Sequence, residues 1–212
     1  MKWEEFIKIA AKFPLVDTAA LLAGVKDSLP LKVQISRWEK DGKLLQLKRG
    51  FYLLAEPYRK IDIYEPFIAS LLKKPSYISL EKALEFHGLI PEAVPVYTCV
   101  TTKRQAKFAS QAGIFSYRHI KGSLFWGYRS YTMHNQTGFI ASAEKALLDL
   151  IYFKGMGISL KFLEGLRLQN IEKIDQNVLF DYAKKFASPF MLKAAKVIRT
   201  YTDAEGKREK LL

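Results

Sequence analysis

The residues best equipped for chemistry in this sequence are cations at regular spacing. Lys32, Arg37 and Lys40 lie in one short window with Gln34 and Ser36 among them, and Lys43 follows closely. Lys48 and Arg49 then stand directly before a glycine, Gly50. Such a set suits double-stranded DNA. Arg37 can fork onto guanine, Gln34 and Ser36 can reach base edges, and Lys32 and Lys40 can hold phosphates. From a turn, Lys48 and Arg49 would contact phosphates or the minor groove. A solvated surface is the plain alternative, since Lys and Arg are ordinary choices there.

A second cationic set falls in a stretch without acids. Between Glu92 and Glu144 there are 51 residues with no Asp or Glu, and Lys103, Arg104, Lys107, Arg118, Lys121 and Arg129 all lie inside it. Lys103, Arg104 and Lys107 cluster in what reads as a loop or helix start. With Arg118 and Arg129 they are candidates for a second nucleic-acid or other functional surface. Tyr117, Tyr128 and Tyr131 alternate with these arginines and would suit stacking on single strands, although core packing accounts for the same aromatics equally well.

Enzymatic chemistry has weaker support. A metal-dependent nuclease needs two or three converging carboxylates, and the acid-free stretch supplies none. Glu144, Lys145 and Asp149 follow it, and capping and pairing explain them more simply than catalysis. His87, His119 and His134 lack the i, i+4 spacing of a metal pair, and Cys99 is the one thiol, better placed as a core filler than as a nucleophile. Gly155-Met156-Gly157 has neither the lysine nor the preceding strand of a phosphate-binding loop. The expectation is a protein without catalytic residues, bound metal or cofactor.

Composition bounds the rest. The 212 residues suit one large or two small domains, and with 49% hydrophobic and 13% aromatic residues the chain is too apolar for a disordered polycation. A single cysteine rules out an internal disulfide and points to a reducing, cytoplasmic setting. The apolar runs are too broken by charge to span a membrane, and Met1-Lys2-Trp3-Glu4-Glu5 is unlike a signal peptide. The formal charge of +13 selects a polyanionic partner, nucleic acid first among them. By segment it divides into +3 over residues 1–56, +6 over 57–140 and +4 over 141–212.

The elements that would position these cations are legible in outline. Phe6, Ile9, Ala10 and Phe13 predict a first helix closed by Pro14. Asp17 caps a short helix over 18–23 ended by Gly24, and Pro30 opens a third helix running to Asp41, with Gly42 behind it. On that helix Leu31, Ile35 and Trp38 fall within about 60° and form a buried stripe, which turns Val33, Ser36, Arg37 and Lys40 outward. Leu44 to Leu47 and Phe51 to Leu54 flank Lys48-Arg49-Gly50 as a hairpin. This is the order of a winged helix-turn-helix, expected over residues 1–56. Residues 57–212 predict an α+β domain. Helices over 64–73 and 80–86, the second capped by Ser79, lead into four or five antiparallel strands over 96–140. Helices over 143–153, 177–186 and 189–201 follow, with a fraying tail over 203–210.

The residues Trp38-Glu39-Lys40-Asp41-Gly42-Lys43-Leu44 and Lys48-Arg49-Gly50-Phe51-Tyr52 resemble the N-terminal domain of AbiE-type antitoxins. These are the AbiEi regulators of type IV, or abortive-infection, toxin–antitoxin systems. Pro75 to Glu81 and Phe86 to Glu92 resemble that family's opening helices, and Phe115 to Arg118 and Phe125 to Tyr128 its strands. Ile140 to Asp149 resembles its A-x-x-E-K-A-L-x-D helix. The likeness spans about residues 31–153 in matching order; the last 50 or so carry no such signature. It implies a DNA-binding repressor of its own operon that neutralises a nucleotidyltransferase-type toxin without a stable complex. A stand-alone winged-helix regulator, with a second domain that binds a ligand or RNA, is the alternative.

Overall fold

The computed structural model describes residues 1–155 and 158–209, with side chains up to residue 205. Met156, Gly157 and Lys210, which figure in the sequence reading, lie outside the described residues. The chain begins with helix α1 (Trp3–Ala10), the two-residue strand β1 (Val16–Asp17), α2 (Thr18–Leu22) and α3 (Leu29–Lys40). Strands β2 (Leu44–Lys48) and β3 (Phe51–Leu54) complete an antiparallel sheet in the order β1-β3-β2. Asp17 caps α2 by accepting from the Ala19 N–H, and Pro30 occupies the first turn of α3, as the sequence predicts.

A first core gathers Phe6, Ala10, Val16, Leu31, Ile35, Trp38, Leu44, Tyr52 and Leu54. The hairpin serves two cores. Because side chains alternate along a strand, Leu44, Tyr52 and Leu54 face this cluster, while Leu47 and Leu53 are buried in a larger one formed by the rest of the chain. That double burial explains why both strands are nearly continuous runs of apolar residues rather than alternating ones.

The larger unit contains α4 (Glu65–Leu72), β4 (Ser76–Ile78), α5 (Leu80–Phe86), β5 (Val96–Thr101), β6 (Ala106–Ser110), β7 (Gly113–His119), β8 (Tyr128–Met133) and β9 (Gln136–Ala141). Helices α6 (Ala143–Lys154), α7 (Leu160–Gly165), α8 (Gln176–Lys185) and α9 (Pro189–Glu209) follow. The architecture is mixed α+β. Its six strands are ordered β6-β7-β5-β4-β9-β8.

The expected antiparallel block is corrected here: β5 pairs with β7 in parallel, and β4 with β9 in parallel. The β6–β7 hairpin presents β7 to β5, and β4 inserts between β5 and β9. Strand periodicity reveals that strands exist, not which edges meet. Strand β4 also replaces part of the helix that the family resemblance placed over Pro75–Glu81, three residues being too few for a periodic signal. Ser79 does not cap α5 with its side chain; its hydroxyl donates to Asp149 instead. Two more departures lie near the C-terminus. Helix α7, capped by Ser159, has no counterpart in the sequence reading, and α9 continues through most of the tail expected to fray.

The two faces of the sheet are covered differently. Helix α4 lies against the face carrying Tyr117, whose hydroxyl donates to the Ala69 carbonyl at 2.6 Å. The crossing at β9 is so close that a Cβ on Gly138 would come within 2.5 Å of Pro66 backbone, so only glycine fits there. Helix α6 covers the other face and packs against α5, α8 and α9.

Candidate nucleic-acid interface

Helix α3 divides as its spacing predicts. Leu31, Ile35 and Trp38 are buried, and Trp38 packs against Phe6 at 4.5 Å between ring centroids. Lys32, Val33, Ser36, Arg37 and Lys40 are exposed, with Val33 48% accessible. Gln34 is half-buried on the flank. Lys43, just past the helix, is half-buried with its ammonium 5.2 Å from the Trp3 ring centre, a cation–π contact. The outward strip therefore has an apolar and hydroxyl centre with cations at its margins, and none of its charged side chains is held by an intramolecular ion pair among the described residues.

The hairpin turn is arranged otherwise. Lys48 Nζ donates to the carbonyls of Leu72 (2.7 Å) and Leu71 (3.2 Å), the otherwise unpaired C-terminal carbonyls of α4, and lies 4.3 Å from the Phe51 ring centre. Burial lowers its pKa from the ordinary lysine value; Asp17 opposes that shift, and Lys74 and Lys73 reinforce it. Gly50, at φ +87°, lets its carbonyl accept from both the amide and the hydroxyl of Thr18. The turn is thus pinned between α2 and α4. Arg49 remains exposed at this tip, whereas Lys48 is engaged inside the molecule.

The second set of cations is exposed but not assembled. Lys103 and Arg104 occupy the β5–β6 turn, and Lys107 pairs with Ser116, which puts it on the same face as Arg118. Arg118 lies 5.5 Å from the Phe153 ring centre. Arg129 is elsewhere: it sits on the opposite edge strand, and its partner Ile140 aligns with Ile78 and Cys99, and so with Tyr117 on the other face. The tyrosines do not form a platform. Tyr117 is buried, and Tyr128 stacks on Tyr77 at 4.7 Å. Tyr131 packs edge-on against Phe86.

The charged residues after the strands form a sealed cluster. Lys145 and Asp149 are both fully buried and paired one helical turn apart on α6. Tyr77 and Ser79 hydroxyls donate to the other carboxylate oxygen at 3.0 and 2.8 Å, and Trp126 and Phe186 rings flank the ammonium at 4.5 and 4.7 Å. Burial raises the Asp149 pKa and lowers that of Lys145, and each charge counters the other's shift. The cluster ties α6 to β4. Glu144 accepts from the Asp175 N–H, His87 Nε2 lies 2.7 Å from the Ala141 carbonyl, and Cys99 is buried, its thiol pKa raised by that burial. Among the described residues no three His, Cys, Asp or Glu side chains are grouped to hold a metal, and no helix is long and apolar enough to cross a membrane.

Compared with known proteins, the chain matches no protein-family model and no curated protein. The structural grounds for a function are therefore its own surfaces. Two features had no sequence signal: the anchoring of Lys48 by α4, and a cavity at the opposite end of that helix, lined by Tyr64 and Glu65.

Proposed function

We propose that residues 1–56 form a winged helix-turn-helix module that reads DNA through the major groove, with α3 as the reading helix and the hairpin as a short, anchored wing. The observation that carries this reading is the outward strip of α3. Ser36 and Arg37 stand to either side of Val33 on an exposed face, Lys32 and Lys40 lie towards the two ends of the helix, and the opposite stripe is held rigid by Trp38 and Phe6. Residues 57–212 would supply the antitoxin function, so that the whole chain represses its own operon and counteracts a nucleotidyltransferase-type toxin. The order of motifs along the sequence supports that part.

Fluorescence anisotropy of the full-length protein on its own promoter DNA at fixed salt tests the reading. Arg37→Ala is expected to weaken binding by about 1–3 kcal/mol and to relax preference at one base pair, with the thermal midpoint unchanged. Equal affinity of Arg37→Ala and the parent for promoter DNA would remove α3 from the groove.

A further inference from the structure

The start of α4 and the adjoining α5 enclose a half-open cavity of about 250 Å³ over β4, β5 and β9. Ile78 and Ile140 make its floor, and Tyr64, Tyr97 and Phe86 stand around it. We propose that this cavity binds a compact organic cation, an ammonium group on an apolar body. It is smaller than the roughly 300–1,000 Å³ of drug-sized sites, which suits a small amine.

Charge gives the sign of the ligand. Glu65 and Glu85 line the cavity against a single lysine, Lys82, leaving it net negative in a chain of +13. Lys82 is already satisfied: its ammonium reaches Glu85 at 2.7 Å and the Val94 carbonyl at 2.9 Å. Glu65 makes no side-chain hydrogen bond or ion pair among the described residues, yet its charge acts on both Tyr64 and Tyr97. Burial first, then Glu65 and Glu85, push the Tyr97 hydroxyl up to about 12, which places the negative field of both acids at this wall of the cavity. The dipole of α4 accounts for an acid in its first turn, but not for aromatic side chains gathered around it.

Tyr97 is already engaged: its ring stacks on Phe115 at 5.1 Å and receives Lys82 Nζ 4.6 Å from its centre, so a ligand's ammonium falls to Glu65 rather than to this ring. Phe86 is 47% exposed beside the opening, an apolar ring left in water where a ligand's apolar body would cover it. Glu65 then supplies the uncommitted negative charge, and the two isoleucines the apolar floor.

The test is a titration of full-length protein with phenethylamine, followed by amide NMR shifts, beside the neutral 2-phenylethanol. The expected result is saturable shifts at residues 64, 65, 97 and 140. Glu65→Gln and the neutral alcohol should each bind more weakly, by up to about fivefold, the worth of one partly exposed charge–charge contact. Phe86→Leu, at an exposed position, should weaken binding without affecting the fold, and serves if Glu65→Gln loses its native spectrum. Shifts that never saturate, that map elsewhere, or that are equal for amine and alcohol overturn the proposal. No DNA is present in this assay, so its outcome is separate from that of the promoter-binding reading.

Discussion

Helix α3 and the β2–β3 turn carry the same kind of residues, yet the fold uses them in opposite ways. On α3 the cations point to solvent and make no side-chain hydrogen bond or ion pair among the described residues; at the turn, Lys48 closes the end of α4 and leaves Arg49 exposed. The difference lies in what surrounds each. On α3 the apolar stripe is narrow, so burying Leu31, Ile35 and Trp38 leaves the mostly polar residues on the opposite side to solvent. A turn has no such opposite face, and the direction of its side chains depends on what packs beside it.

Three experiments sharpen or break that contrast. The largest effect is expected from ending the chain at residue 56. That removes the second cluster from Leu47 and Leu53, each buried leucine being worth ~1.5–3 kcal/mol, a large part of a domain's stability. The fragment should unfold at far lower denaturant than the full chain, followed by circular dichroism. A fragment as resistant as the intact protein would show the hairpin to be a free wing after all.

Next in size is Lys48→Met, which keeps a side chain of similar length but removes both the cation over Phe51 and the donor to the α4 carbonyls. About 1–3 kcal/mol of stability should be lost in urea unfolding. Promoter affinity should fall much less than in Arg37→Ala; a loss of affinity with unaltered stability would return Lys48 to the DNA surface. The smallest effect belongs to Arg49→Ala. Its unfolding should be unchanged, while the slope of log affinity against log salt falls by about one, the signature of one phosphate contact. An unchanged slope would mean that the wing tip does not reach DNA.

The acid-free stretch repeats the same lesson at larger scale. Its cations are all exposed, but a shared stretch of sequence does not make a shared surface. Lys107 and Arg118 lie on one face near the β6 edge, while Arg129 lies on the other face at the β8 edge. Parallel pairing of β5 with β7 and of β4 with β9 decided this, because it folds consecutive strands to opposite ends of the sheet. Tyr117 and Tyr128, attractive as stacking residues in one dimension, are consumed by the core for the same reason.

What the amino-acid sequence determined by itself is local. The cap at Asp17, the proline in the first turn of α3, the three-residue buried stripe and the glycine turn of the hairpin all follow from interactions within a few residues. So does the presence of a strand-rich stretch over 96–140. Only the tertiary structure decided which strands became neighbours, that the hairpin is buried on both faces, and that α4 holds Lys48 at one end and opens a cavity beside Glu65 at the other. Those outcomes join residues far apart in the chain, such as Tyr77 with Asp149, and no local periodicity records such partners. The energy that selects them comes from burial of apolar area, which is non-directional and assigns no partner until the whole chain has packed.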